Sequence, residues 1–268
     1  MKGKSRTRLI LASIFCLILC QIMTACSNSS KINSTPAAYG QKANSAGPED
    51  NSVEKAVYTE DDDNFKSWLL AQIPEKDIFL YAQENGVTLH VRDKEHYYEW
   101  LYMTPRGILP RMQVADYDGD GKEELSVILY IGSGTGVSVE ELHIIEISEE
   151  TEILKDHMFS NYTEQLQKAI GFKTYNKDGE KMAEIMTPNG TYTVSLEDYN
   201  EESFGKIAEN LFFGSIVRFG NDNGKLTAGF GAGVCYEKHV VPYNIGEVIA
   251  DVEYKDGVFE LKNYKFSE

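Results

Sequence analysis

The later half of this 268-residue chain is divided by Asx-Gly turns into short segments in which apolar and polar residues alternate. Asn176-Lys177-Asp178-Gly179 separates segment 172–175 from 181–186, and Pro188-Asn189-Gly190 separates the latter from 191–196. Asn221-Asp222-Asn223-Gly224 lies between 216–219 and 226–230, and Lys255-Asp256-Gly257 joins 248–254 to 258–266. Glycine reaches the positive φ that a tight turn needs, and Asn or Asp can hydrogen-bond back onto the turn's own backbone. Strands joined by such turns run antiparallel, so hairpins and a meander over 172–196 are expected.

Elsewhere the period is mixed. Segments 112–115, 125–131 and 137–147 read as strands. Residues 64–73, with Phe65, Trp68, Leu69 and Ile73 ahead of Pro74, carry the three-and-four spacing of a helix. So does 93–103, where Asp93 is placed to cap and His96, Trp100 and Met103 share a face. The aromatic run Tyr97, Tyr98, Trp100, Tyr102 fits core packing better than sugar stacking. Segments 161–170, with Tyr162, Leu166 and Ile170 in register, and 201–212 complete the helices. The sum is an α+β, β-rich fold: antiparallel sheets with a few short helices.

One turn differs from the others in chemistry. Asp116-Tyr117-Asp118-Gly119-Asp120-Gly121-Lys122-Glu123-Glu124-Leu125 sets acids at alternate positions, then a glycine, then a strand. Ca²⁺ takes about 6 to 8 oxygens at roughly 2.3–2.6 Å, so a short peptide must turn sharply to point several carboxylates at it. Asp116, Asp118 and Asp120 offer side-chain oxygens, Lys122 its carbonyl and Glu124 a closing carboxylate. The twelfth position from Asp116 is Val127, so the bidentate Glu that an EF-hand requires there is missing. The spacing D-x-D-x-D-G-x-x-[DE]-[LI] before a strand resembles the FG-GAP/VCBS-type calcium loops of integrin-like propellers and bacterial surface proteins. That resemblance implies a calcium cofactor held by loop 116–124. Such families repeat the loop once per blade; here it occurs once, which argues against a full propeller.

At the N-terminus, Lys2, Lys4, Arg6 and Arg8 precede an apolar run, and Met23-Thr24-Ala25-Cys26 follows it. The sequence resembles a bacterial lipoprotein signal, with residues 1–25 removed and Cys26 lipidated. Residues 26–60, rich in Ser, Asn, Ala, Pro and Gly, read as a disordered linker spanning roughly 30 Å. Residues 61–268 are then a single globular domain. Of the four cysteines, Cys16 and Cys20 leave with the signal and Cys26 is acylated, which leaves Cys235 with no disulfide partner. The net charge of −16 becomes −20 once the four basic residues of the signal are gone. Such a surface repels nucleic acid and concentrates cations.

Catalytic signals are sparse. Gly132-Ser133-Gly134-Thr135-Gly136 lies between strands, whereas a phosphate loop leads into a helix, so it reads as a flexible hairpin beside the calcium loop and a rim for a ligand surface. Cys235 and His239, four apart, lie too far apart on a strand to act together unless the chain turns there. His90, His96, His143 and His157 show no metalloprotease pairing. The expectation is a membrane-anchored extracytoplasmic lipoprotein with a structural calcium loop, a binding or scaffold module for a cell-wall or protein ligand. A cell-wall glycan hydrolase, using carboxylates that sequence does not single out, is the alternative.

Overall fold

A computed structural model describes residues 68–147, 154–197 and 199–268, all within the unit Ala56–Glu268. The signal segment, Cys26, the linker and residues 64–67 of the first expected helix lie outside the described residues.

Strands dominate. β1 (Leu69–Ile73), β2 (Ile78–Gln83), β3 (Gly86–Val91) and β4 (Lys94–Tyr98) form a four-stranded sheet in that order. Every pair in it is antiparallel. A larger sheet takes the order β15-β14-β13-β12-β7-β6-β5. Its strands are β5 (Arg111–Ala115), β6 (Glu124–Gly134), β7 (Val137–Glu146), β12 (Ile216–Asp222), β13 (Lys225–Tyr236), β14 (His239–Lys255) and β15 (Val258–Ser267). β8 (Lys155–Met158) pairs with the C-terminal half of β7. The expected meander is present as β9 (Gly171–Lys177), β10 (Glu180–Thr187) and β11 (Gly190–Ser195). Its first turn puts Asp178 at φ 52° and Gly179 at φ 90°. The architecture is β-rich with few helices, and among the described residues no sheet closes into a barrel or propeller.

Four expectations need correction. Residues 94–98 are β4 rather than helix, because His96, Tyr98 and Trp100 point inward while Glu95, Tyr97 and Glu99 point out. That is a period of two, and a spacing of four fits both periods. Leu69–Ile73 is likewise a strand, drawn into pairing with β2. In 201–212 only α2 (Glu201–Phe204) is helical; Gly205 at φ 75° ends it, and the chain then bridges to β13 through Ile207↔Tyr236 and Phe212↔Gly233. The larger sheet is also not purely antiparallel, since β12 runs parallel to β7 over Ile216↔Ser138 and Val217↔Val139.

Two apolar cores flank β6 and β7. Leu125, Val127, Leu129 and Ile145 pack with Leu80, Val87 and Leu89 of the four-stranded sheet. From the other face, Ile128, Leu142 and Ile144 join Phe159, Phe219, Phe230 and Leu166. Being covered on both sides makes β6 a nearly continuous apolar run, at about 1.5–3 kcal/mol per fully buried large side chain.

The expected helix over 161–170 is α1 (Tyr162–Ala169), with Leu166 buried, Glu164 in its first turn and Lys168 in its last. Its Gln165 guards a sheet edge. The Gln165 side-chain amide donates to Phe259 O at 2.9 Å and accepts from Leu261 N at 2.8 Å, standing in for the strand that β15 lacks on that side. Gln165→Leu should cost about 1–3 kcal/mol in urea unfolding, because both backbone groups lose their partner. Light scattering should also show concentration-dependent association through the freed edge. A variant as stable and as monomeric as the parent would contradict this.

Candidate metal site

Loop 116–123 connects β5 to β6, and the pair Ala115↔Glu124 closes it. Gly119 and Gly121 sit at φ 77° and 87°, with open space where a Cβ would stand, so conformation and not room requires glycine there. These two left-handed residues aim their amides back at the acids. Gly119 N donates to Asp116 Oδ1 at 2.8 Å and Gly121 N to Asp116 Oδ2 at 3.0 Å. Asp120 N donates to Asp118 Oδ1 at 3.0 Å, and Lys122 N to Asp120 Oδ1 at 2.8 Å. The loop thus fixes its carboxylates through its own backbone.

Oxygens of Asp116, Asp118 and Asp120 all lie within 4.8 Å of one another. Two ligands on one ion at about 2.4 Å can be no more than about 4.8 Å apart, so the triad meets that spacing limit for a hard cation. Lys122 Nζ stands 3.8 Å from Asp120 Oδ2, a loose contact on an exposed side chain that neutralises little. Glu124 is placed differently. It is only 5 % exposed, and its Oε2 accepts from Tyr117 N at 2.8 Å. Burial first, and then the charges of the three aspartates, push its carboxyl up to about 6, with the Tyr117 amide offsetting part of the rise. Structure therefore groups three of the five expected ligands, sets Glu124 behind them against the loop backbone, and engages Lys122 through its N–H.

The loop's anchor was not legible as such. Tyr117 turns inward, its hydroxyl 3.0 Å from Ser126 Oγ and 3.3 Å from Gln113 O, and Asn221 Nδ2 bonds to both the Tyr117 and Ser126 hydroxyls. Asn221 lies near the end of β12, so the turn that follows is tied to the aspartate loop. An aromatic residue inside an otherwise polar loop was the available signal. Glu146, opposite Glu124 across the β6–β7 ladder, has its own cations: Lys155 Nζ and His157 Nε2 lie 2.9 Å from its oxygens. The Lys155 hydrogen bond, chiefly, lowers its pKa.

Other candidates separate from this site. Of the Gly132–Gly136 stretch, Gly132–Gly134 ends β6 and Thr135-Gly136 makes the β6–β7 turn, at the opposite end of β6 from the loop, roughly 30 Å away at ~3.3 Å per residue. It is no rim to the aspartates. Cys235 and His239 flank a hairpin turn, with Tyr236↔His239 as its last pair. His239 stacks on Phe204 at 4.7 Å. Burial pushes the Cys235 thiol up, the reverse of what a nucleophile needs. Trp100 is buried between Tyr98 and His143, with ring centroids 4.2 Å from each. Its Nε1 donates to Asp156 Oδ2 at 2.9 Å, so Trp100 belongs to the core with Tyr98 and Tyr102 packed against the same cluster, whereas Tyr97 is exposed. Comparison with protein families, with curated proteins and with solved structures found no match.

Proposed function

We propose that this chain is a lipid-anchored, extracytoplasmic binding or scaffold module in which Ca²⁺, held by Asp116, Asp118, Asp120, the Lys122 carbonyl and Glu124, staples β5 to β6. The observation that carries the reading is the convergence of three aspartate oxygens within 4.8 Å on a loop whose own amides orient them. Without a cation, these charges repel one another across a few ångström and raise the proton affinity of the buried Glu124 behind them. A divalent ion removes both costs. One such loop, between two strands of an open sheet, calls for a structural role rather than a propeller blade.

Isothermal titration of Ca²⁺ into the full chain in detergent tests the metal. Saturable heat with one site per chain is expected, lost in Asp118→Ala or Asp120→Ala; no heat in the parent chain would remove calcium from the account. The anchor is tested separately. Cys26→Ser should leave unprocessed precursor or release the protein from membranes, since stable attachment needs acyl chains at ~0.8 kcal/mol per buried CH₂. A Cys26→Ser protein that is processed and membrane-bound like the parent rules out lipidation at that residue.

A further inference from the structure

Strand order gives the larger sheet one end remote from the aspartates. There β6 ends at Gly134, β7 and β12 begin at Val137 and Ile216, and β13 turns into β14 between Tyr236 and His239. Apolar side chains lie open along it. Val240 is 88 % and Val241 68 % exposed, and Tyr243, Phe212 and Val137 are exposed as well. The backbone links these residues: Phe212 bridges Gly233, which pairs with Asn244, and Ser138 N donates to Ser215 O at 2.7 Å. Exposed Leu101 and Leu109 extend the surface past β6, where Met103 N donates to Tyr130 O at 2.6 Å.

Charge sets this end apart from the rest of the chain. Residues 101–110, 128–139, 210–217 and 238–246 hold no Asp or Glu, although these make up 42 of the 268 residues and the net charge is −16. Apart from His239, the ionisable groups of these stretches that carry charge are the cations Arg106 and Lys238, both exposed. The acid at the hairpin tip, Glu237, turns back onto the chain, its Oε2 accepting from Lys206 N at 3.2 Å.

These features select among occupants. Among the described residues β14 has no partner on its outer side before Glu247, which pairs with Ser267 of β15. A further strand fits that edge poorly, because Pro242 leaves the stretch one N–H short. A lipid surface asks for no main-chain hydrogen bonds. Aliphatic tips can enter its headgroup–acyl boundary, a tyrosine suits the headgroup level, and cations meet anionic headgroups that would repel the acids found elsewhere on this chain.

We infer that the end of the larger sheet bearing the β13–β14 hairpin tip docks on the bilayer, with Val240 and Val241 entering the headgroup–acyl boundary. The inference rests on the lipid-anchor reading, since so few apolar residues hold a domain to a membrane only when a tether makes the contact intramolecular. The same orientation turns the aspartate loop outward, away from the lipid.

The test uses the full chain reconstituted in vesicles of phosphatidylcholine and phosphatidylglycerol, made with plain or with brominated acyl chains that quench tryptophan. Val240→Trp places a reporter at the tip, and Val258→Trp places one at an exposed position at the aspartate end. Flotation of the vesicles is measured on the same samples. The chain should float, and brominated lipid should remove much of the emission added by Val240→Trp and none of that added by Val258→Trp. Adding Val241→Asp to Val240→Trp should abolish the quenching; both positions are exposed, so the fold is not at stake. A chain that floats with an unquenched reporter at position 240, or with equal quenching at 240 and 258, overturns this inference and leaves the anchor standing. Quenching that survives Val241→Asp overturns it too. A reporter shielded without lipid, with dimers in sedimentation, would assign the surface to a second copy instead. A chain that does not float overturns the anchor and the docking together.

Discussion

Replacing Glu140 by alanine should cost about 1–3 kcal/mol, because it leaves the buried Phe219 N–H without an acceptor, while the half-exposed Arg111 that it also frees is taken up by water. Glu140 is 8 % exposed and stands where β7 changes neighbours. β12 pairs with β7 only through Ser138 and Val139, and β8 takes up the same edge from His143 onward. In the gap, the backbone of Phe219 faces no strand. Glu140 Oε2 accepts its N–H at 2.7 Å, and Arg111 Nη2 donates to its carbonyl at 2.8 Å while also holding Glu140 Oε2 at 2.9 Å. Two side chains thereby replace one residue of missing ladder. Glu140→Gln keeps an acceptor and should cost less than Glu140→Ala, whereas Arg111→Met, at a residue about half exposed, should cost less still. Urea unfolding of the three variants gives the order, and a cost for Glu140→Ala below about 1 kcal/mol would mean that water satisfies Phe219 equally well.

Chelation should lower the melting temperature, and the loss should grow between pH 5 and pH 7. With about millimolar Ca²⁺ and a Kd near ~10⁻⁴ M, binding stabilises the fold by about 1.4 kcal/mol, rising to about 4 kcal/mol for a Kd near 1 μM. Its pH dependence follows from Glu124. In the metal-free fold its pKa is raised to about 6 from about 4.5 in the unfolded chain, so the native state holds the proton more tightly. The stability this confers is complete below about pH 4.5 and is lost as pH rises through about 6, some 2 kcal/mol in all. Calcium requires the ionised carboxylate, so the calcium-loaded protein should escape that loss. Melting curves with EDTA and with Ca²⁺ should therefore converge near pH 5 and separate by pH 7. Mg²⁺ should restore less, since it demands stricter octahedral geometry, and Asp118→Ala or Asp120→Ala should close the gap at every pH. Curves that coincide at pH 7 would return residues 116–124 to an ordinary acidic turn.

Much of the sheet was legible because its information is local. Asp178-Gly179 and Asp256-Gly257 each set one hairpin, with Asp178 at φ 52° and Asp256 at φ 49°, and the alternation on either side fixed which residues face inward. The aspartate triad was readable for the same reason, its three carboxylates lying within one short loop. What failed was ambiguity of period and distance in sequence. His96 and Trp100 are four apart, a spacing that places two residues on one side of a helix or of a strand, and only pairing with β3 decides between them. Glu140 and Phe219, or Tyr117 and Asn221, are brought together by the order of strands in the larger sheet, and no local pattern records that order. The stacked pair Tyr199 and Tyr236 is likewise drawn from segments far apart in the chain.

The narrow junction between β7 and β12 divides the larger sheet into two runs that are also contiguous in sequence, β5 to β8 on one side and β12 to β15 on the other. Few main-chain hydrogen bonds cross it, and Glu140 with Arg111 bridges it; the apolar core beneath is shared. Two blocks with dense internal ladders and a thin boundary have the form of cooperative sub-global units, so amide hydrogens of β13 and β14 can open to solvent in concert while those of β6 stay closed. The aspartate loop belongs to the first block, but its Tyr117 hydroxyl is bonded by Asn221 of the second. A cation held by the loop, as proposed, would therefore act across the boundary and set how often one half of the molecule opens without the other.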